Sequence, residues 1–514
     1  MASAARLIRN LYRDSVSLMQ LSAGLAARPG IEQASAIMAT PANLALLAEA
    51  GLAPGKLAPS PNDLLIAVRG KVSADLEVAL ASAVAELEKP PSPAAGGGLA
   101  AMPARSLQMA LAQAPAPAPN LALISTPGEY AAAEAMKALR LGLNAMLFSD
   151  NVALRDEVAL KRYARDHGLL VMGPDCGTAI INGIPLGFAN AVRRGPVGVL
   201  GASGTGTQQE TCIVHRRGSG VSHAIGTGSH DLSSEVGGIT MLQGIRALAK
   251  DPGTKVIVLV SKPPSPEGAQ DVLAAARHCG KPAVVIFVGA PPGSVRGKNL
   301  HQAATLEEAA LAAVALANGR RPARPASIRI KLPKMKFTKN QRYIRGLYSG
   351  GTFCYEASAM LGAALGEVWS NAPVDPRMRL ANLHKSRGHT LIDLGDDEFT
   401  RGRPHPMIDF RLRNERILAE ARDPEVAVIL LDVVLGYGAH ADPAAELAPV
   451  LAKARALARK GRRILALVGF VCGTDEDPQG FDRQEQALRD AGMLLTGSNA
   501  QAAQLAAAIA SRLA

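Results

Sequence analysis

Aromatic residues are scarce: one Trp, seven Tyr and nine Phe, 3% of a 514-residue chain. That scarcity argues against a stacking surface for single-stranded nucleic acid. Together with abundant alanine and glycine, it favours closely packed helices on sheets over an aromatic-rich sandwich. No run of eighteen apolar residues occurs, and residues 4–14 are amphipathic and mildly basic without an apolar stretch, so neither membrane insertion nor a secretory leader is expected. The five cysteines, Cys176, Cys212, Cys279, Cys354 and Cys472, are odd in number and share no C-x-x-C spacing. A disulfide framework and a zinc site are therefore not expected, no metal is assigned, and the chain reads as cytoplasmic. Acidic residues are missing from one segment: residues 320–345 hold ten Lys and Arg and no Asp or Glu, so most of the formal charge of +12 is local. With prolines and no helical period, this segment reads as a solvated linker rather than a nucleic-acid surface, the alternative being a docking strip for an acidic partner subunit.

What is present is an apolar strand running into a small-residue turn and a polar helix start, Gly198-Val-Leu-Gly-Ala-Ser203-Gly204-Thr205-Gly206-Thr207. Small residues let the backbone approach a bound group, and the first N–H groups of the helix, with its dipole, favour an anion there. Ser203, Gly204, Thr205 and Gly206 are thus a candidate phosphate cradle. A second copy follows in Gly346-Leu-Tyr-Ser349-Gly350-Gly351-Thr352, and a repeated cradle suggests a repeated domain. The stretch Gly436-Tyr-Gly438-Ala-His440 after an apolar strand is a further candidate anion site, with His440 either an acid–base group or a satisfied loop histidine.

The length corresponds to about three or four domains. Strand-then-helix rhythm begins at residues 34–39 and 64–68, dissolves in Lys89-Pro-Pro-Ser-Pro-Ala-Ala-Gly-Gly-Gly and Ala114-Pro-Ala-Pro-Ala-Pro, and resumes at Leu121. The expectation is an α/β protein of doubly wound layers: residues 1–190 with a Pro/Ala/Gly-rich insert near 89–119, a domain at 191–318, a basic linker at 319–342, and a domain at 343–514. Two such domains facing one another would present both cradles to one cleft. At and beyond the end of the strand that starts at Thr390, the acids Asp393, Asp396, Asp397 and Glu398 precede Arg401, Arg403 and His405, which reads either as a substrate-binding loop with arginines gripping carboxylates or as an ion-paired surface loop.

The order Met172-Gly-Pro-Asp-Cys176, Gly195-Pro-Val-Gly-Val-Leu with Ser203-Gly-Thr205, then Ile225-Gly-Thr-Gly228, resembles the α-subunit of succinyl-CoA synthetase and the NDP-forming acyl-CoA synthetases over about 120–318. Nearly the whole chain is similar to the FdrA proteins, a bacterial branch of that superfamily, through Thr40-Pro-Ala-Asn, Phe148-Ser-Asp-Asn151, Glu235-Val-Gly-Gly238, Ser261-Lys262-Pro-Pro264, Asp393-Leu-Gly-Asp-Asp397, Gly402-Arg-Pro-His-Pro-Met-Ile-Asp409 and Leu431-Asp-Val-Val434. The resemblance implies a split Rossmann-like CoA-binding-type domain followed by two flavodoxin-like ligase domains, with Gly228 beside the first cradle.

Departures from the synthetases shape the functional expectation. Their Gly-rich CoA loop has no counterpart in Ala39-Thr-Pro-Ala-Asn43, so CoA is only a candidate cofactor. Their phosphate-carrying histidine has no equivalent setting, since His301 lies in Asn299-Leu-His-Gln, and where they place a glutamate to orient that histidine this chain has Lys262. An ammonium there would attract a phosphate or carboxylate directly, or would merely cap a strand end and face solvent. No ATP-grasp domain is evident, so other protein subunits of a hetero-oligomer are expected as partners. The resemblance to FdrA implies a subunit of an oxamate carbamoyltransferase of allantoin and purine degradation. Carbamoyl phosphate would then be the substrate, with Lys262, Arg403 and His405 as candidate catalytic residues. An acyl-CoA synthetase subunit and a noncatalytic regulatory scaffold are the alternatives. Incubation with ATP is expected to leave no acid-labile phosphate on His301; phosphopeptide mapping that recovers phosphohistidine there would restore the synthetase mechanism.

Overall fold

The computed structural model describes residues 2–13, 15–52, 57–88, 104–323, 335–400 and 404–513, which form an α/β protein whose strands lie in four sheets. Strands Ala2–Ile8, Ile31–Met38 and Leu64–Gly70 pair antiparallel with the last in the middle, covered by helices Ser15–Ala26, Pro41–Glu49 and Ser73–Glu88. The middle strand is apolar on both faces because both are covered: Leu64, Ile66 and Val68 pack with Leu18, Leu25, Leu76 and Leu80, while Leu65 and Ala67 meet Leu47 and Leu52. A strand buried on both sides reads in sequence like one from a parallel sheet. That is why residues 1–190 look like one Rossmann-like layer. In the structure they divide, and the Rossmann-like part is a separate parallel sheet of Leu121–Ile124, Asn144–Leu147 and Val171–Met172. Residues 89–103 of the expected insert lie outside the described residues, as do residues 324–334 of the basic linker.

The seven-stranded sheet of the next domain runs, edge to edge, Leu300–Gln302, Ala283–Phe287, Val256–Ser261, Arg194–Gly201, Val221–Gly226, Thr178–Ile181 and Ile184–Gly187. Its first five strands are parallel, and the last two form a hairpin added antiparallel. Asn182 and Gly183 make the hairpin turn with φ of 55° and 84°, the paired positive angles that suit the twist of two-residue loops. The six-stranded sheet is parallel throughout: Val368–Ser370, His389–Asp393, Tyr343–Tyr348, Val426–Val434, Ala466–Cys472 and Met493–Thr496. A buried Lys161 ties the Rossmann-like part to the seven-stranded sheet, donating to Glu157 at 2.7 Å, Asp231 at 2.8 Å and the Thr227 carbonyl at 2.9 Å.

The two larger sheets share one core. Helices Gly204–Arg216 and Leu306–Ala317 from one side, and Gly351–Leu365 and Asn499–Ala510 from the other, form a double helix layer between them, with Cys212, Ala309 and Ala313 in the same apolar cluster as Phe353, Ala357 and Ala503. Polar contacts lock the register of this layer: Glu356 accepts from Leu306 N at 2.7 Å and from Asn499 at 2.8 Å, and Ser498 donates to Glu307 at 2.7 Å. Asn190 reaches Asp477 at 2.7 Å across the same joint.

The two halves approach closely at Gly350, where a Cβ would sit 2.9 Å from Thr205 Cγ2 of the other half and 2.6 Å from the Phe353 ring of its own. Gly350→Ala is therefore expected to cost about 1–3 kcal/mol through overpacking. Gly362→Ala in the same helix, where a Cβ meets nothing within 4 Å, is expected to be neutral or to gain up to about 1 kcal/mol. Urea unfolding of both variants separates the two effects, and equal stability of the pair would contradict the tight approach.

Candidate functional site

Ser203 caps helix Gly204–Arg216, its hydroxyl accepting from Gly206 N at 3.0 Å, and Thr207 Oγ1 returns a bond to Ser203 O at 2.7 Å. The first-turn amides of Gly204 and Thr205 have no intrahelical acceptor. Ser203 Oγ also lies 2.5 Å from Thr352 Oγ1, in the first turn of helix Gly351–Leu365. The two cradles thus meet at their helix starts, where the dipoles of both helices present their positive ends.

The cradles are not equivalent. In the second, Asp432 accepts from Ser349 N at 2.8 Å, Ser349 Oγ at 2.7 Å and Gly350 N at 2.9 Å, and is fully buried. Arg413 secures that carboxylate with Nη1 at 2.9 Å. Ser349 and Gly350 therefore hold an internal anion. The Asp393 carboxylate fills the space a side chain would take at Gly351. Burial pushes Asp393 up to about 6; the Lys262 ammonium opposes that rise, Asp396 adds to it, and the Gly395 amide opposes it. Lys262 follows strand Val256–Ser261 and is exposed, yet its charge is felt by Asp393 and by Cys354, which places it on the cleft between the two halves.

His405 faces the same place. A Cβ at Gly395 would sit 2.7 Å from His405 Nε2 and 3.3 Å from Asp393 Oδ1, so these two groups flank one point. Nδ1 accepts from Met407 N at 3.2 Å, which puts the proton of the neutral ring on Nε2. Burial, and then the Arg413 guanidinium, push His405 down to about 4, so the ring is neutral at physiological pH. The Phe188 ring lies against it at 5.8 Å between centroids.

Other expected positions are placed differently. Arg403, with Arg401, lies outside the described residues. Gly228, at φ 88°, packs under the Gly173–Pro174 turn beside the first cradle, where Thr227 N donates to Gly201 O at 2.8 Å. Gly436 and Gly438 do not form an open anion site. Gly436 N donates to Gln479 at 3.1 Å, Tyr437 N donates to Ala189 O at 2.8 Å, and the Phe188 ring covers Gly438, so this turn closes the domain joint. His440 accepts from Asp442 N at 3.1 Å and stacks edge-on against Phe410. His301 sits in the edge strand Leu300–Gln302, half-buried, with burial pushing its pKa down. Cys176 is buried against the carbonyls of Thr178 and Gly226, and burial pushes its thiol up to about 12, which leaves it inert.

Asp432 and Arg413 are the residues whose part in the site is not evident from their sequence context. One signal was available: Asp432 is the single charged residue in the nine-residue apolar strand Val426–Val434, and a carboxylate in such a strand needs a built partner.

Residues 347–509 match the CoA-ligase family, residues 192–289 the CoA binding domain, and residues 1–102 the heavy metal-associated domain of AllF. The CoA-binding match falls on the seven-stranded sheet that carries the first cradle. Residues 1–102 contain neither cysteine nor histidine, so thiolate and imidazole ligation of a heavy metal ion is excluded within this segment. The chain is 26% identical over 186 residues to the α-subunit of an ADP-forming succinate–CoA ligase of Aquifex aeolicus and 27% identical over 188 residues to a mitochondrial α-2 subunit of Trichomonas vaginalis, each match covering 35% of this chain and 60% of the relative. A solved structure of PH0766 from Pyrococcus horikoshii OT3 overlaps 77% of this chain and 85% of its own at 13% identity and a TM-score of 0.34, too loose to bear on function. YahF of Escherichia coli K12, an uncharacterized protein, is 44% identical over 507 residues, covering 97% of this chain and 96% of YahF. With a relative matched from end to end at that identity, and CoA-binding and CoA-ligase modules on the two sheets that meet at Ser203 and Thr352, the chain belongs to the family of YahF within the succinyl-CoA synthetase superfamily.

Proposed function

We propose that this chain is an FdrA-type subunit of a transferase that uses carbamoyl or acyl phosphate, with oxamate carbamoyltransferase as the specific activity. The observation that carries this reading is the asymmetry of the cradles: Asp432 occupies the Ser349 and Gly350 amides, while the helix start at Ser203 has no carboxylate among its hydrogen bonds in the described residues. A phosphate seated on the first cradle gains from two helix dipoles and an ammonium without any covalent relay.

The acceptor nitrogen attacks the carbamoyl carbon, the bond from that carbon to the bridging phosphate oxygen breaks, and inorganic phosphate leaves on the first cradle. Asp393, pushed up to about 6, is matched to take the acceptor's proton near neutral pH. The His405 Nε2–H donates to the carbonyl oxygen as negative charge develops there. Arg403 remains in this proposal as a carboxylate anchor for the acceptor. Other protein subunits would supply what the chain lacks for a full reaction cycle.

A second reading, an acyl-CoA synthetase subunit, is favoured by the CoA-ligase match at residues 347–509 and the CoA-binding match at 192–289. Ligand-dependent thermal unfolding separates the two. Carbamoyl phosphate at about 100 times its dissociation constant stabilises by about 2.7 kcal/mol. Lys262→Ala is expected to weaken that protection by about tenfold or more in affinity, the loss of one charge-assisted contact. Protection by CoA alone, or protection by carbamoyl phosphate that Lys262→Ala leaves intact, would count against the transferase reading.

Asp393 also makes a pH prediction. Its folded pKa lies above the ordinary carboxylate value of 3.8, so the fold binds its proton more tightly than the unfolded chain does. Its contribution to stability is therefore full below pH 3.8 and is lost as pH rises to about 6. Compared with the wild type, Asp393→Asn is expected to gain about 2–3 kcal/mol of relative stability between pH 4 and pH 7 in urea titrations. A constant difference across that range would place the carboxylate in water rather than in the buried cleft.

A further inference from the structure

The basic segment, which the candidate reaction does not use, is not a free linker where the structure describes it. Met335 and Phe337 pack on the core shared by the two large sheets, while Lys336 between them is exposed. Gln341 is buried, and its Nε2 donates to Val426 O at 2.8 Å and Ile464 O at 2.6 Å, at the starts of two neighbouring strands. Residues 335–342 are thereby held along the amino edge of the six-stranded sheet, the edge opposite the cleft. Strand Tyr343–Tyr348 alone separates the two edges by about 20 Å.

A cavity of about 460 Å³ lies at this amino edge, with Thr338, Asn340, Arg422, Pro424, Leu457 and Arg463 in its lining. Six exposed cations either line it or stand within two positions of a lining residue: Lys339, Arg342, Arg422, Arg459, Lys460 and Arg462. Among the described residues, none of the six pairs with a carboxylate. Two acids share the edge, Asp423, held by Arg345 at 3.0 Å, and Glu425. Helices Arg411–Arg422 and Pro443–Lys460 end here, and each C-terminus carries the equivalent of about half a negative charge, which accounts for basic residues in their last turns. It does not account for Lys339, Arg342 and Arg462, which lie outside both helices.

The arrangement discriminates among anions. Arg463 is buried and already occupied, donating to Asp423 O at 2.7 Å and Ala421 O at 2.8 Å. The remaining cations are spread along a rim on long exposed side chains, whereas small anions in sheets of this kind are taken at the carboxyl edge. Leu457 and Pro424 line the cavity and Ile464 beside it is 39% exposed, but no aromatic ring lines it to stack on a base. An apolar centre inside a charged rim is the anatomy of a protein interface, and the sign of the rim selects its partner. We propose that this edge, around Lys339, Arg422 and Arg462, docks an extended acidic segment of a partner protein subunit. The proposal rests on the reading of this chain as one member of a hetero-oligomer, and a partner seated here leaves the cleft uncovered.

The test is fluorescence anisotropy of the full-length chain with a labelled peptide, Glu-Glu-Leu-Glu-Glu-Leu-Glu-Glu, at about 0.1 M salt, where the Debye length is about 10 Å. One saturable site is expected, at least tenfold weaker in Lys339→Glu/Arg462→Glu and changed less than twofold in Arg140→Glu/Arg162→Glu, which reverses two exposed charges on the Rossmann-like part. All four side chains are exposed, so both double variants should unfold at the wild-type temperature. No saturable binding, equal loss in the two double variants, or binding that survives Lys339→Glu/Arg462→Glu would overturn the proposal. Tighter binding of a labelled oligothymidylate of equal charge, lost in the same variant, would also overturn it and mark a nucleic-acid surface. Displacement of the peptide by inorganic phosphate at constant ionic strength would overturn it in favour of a small-anion site. Carbamoyl phosphate is expected to leave the peptide bound whether or not it binds at Ser203, so this result and the phosphate seat fail separately; displacement by it would put the peptide in the cleft and overturn the docking site.

Discussion

Two helix starts touching at Ser203 and Thr352 set the terms for the rest of this molecule. Each helix N-terminus carries the equivalent of about half a positive charge, and bringing two together is unfavourable unless negative charge lies nearby. The fold meets that condition on one side only. Asp432 sits on the amides of Ser349 and Gly350 and is itself tied to Arg413, while Asp393 fills the space beside Gly351. The start at Ser203 has no such carboxylate among its hydrogen bonds in the described residues, and this is the seat proposed above for a phosphate. The close approach is held by the shared helix layer, because the core that joins Cys212 to Phe353 and Ala503 cannot separate without exposing apolar surface.

The buried titratable groups around this contact follow the same logic. Within the helix layer, burial pushes Glu356 up to about 7 and Glu210 well above the ordinary carboxylate value. In the cleft, His405 is kept neutral and Asp393 titrates close to neutral pH. A neutral N–H donor and a carboxylate at the point of changing protonation, side by side around Gly395, are the pair that a proton-transfer step at a carbonyl needs. In the proposed reading, the Lys262 ammonium would attract the phosphate directly.

Much of this arrangement was legible in the residues. The helix start at Ser203 followed from a small-residue turn after an apolar strand, and the Ser349–Thr352 copy announced a second domain of the same kind. The antiparallel first sheet was not legible, because Leu64 to Val68 is apolar on both faces for a reason that sequence does not separate from parallel pairing. Nor was the inequality of the cradles, which depends on Asp432 reaching amides 82 and 83 positions earlier in the chain. Gly436 and Gly438 looked like the same chemistry as Gly204 and Gly206, but their neighbours Gln479, Ala189 and Phe188 arrive from distant segments and close the turn. Small residues in a turn permit a close approach; only the fold decides whether a ligand or another part of the chain makes it.

The most direct test is a crystal structure of the chain with a phosphonate analogue of carbamoyl phosphate that cannot be hydrolysed. The phosphonate is predicted to sit on the Gly204 and Thr205 amides within reach of Lys262, with Asp432 still bonded to Ser349 and Gly350. A phosphonate on Ser349 and Gly350 with Asp432 displaced, or one bound only at the edge of the Rossmann-like sheet, would contradict the assignment of the first cradle as the phosphate seat.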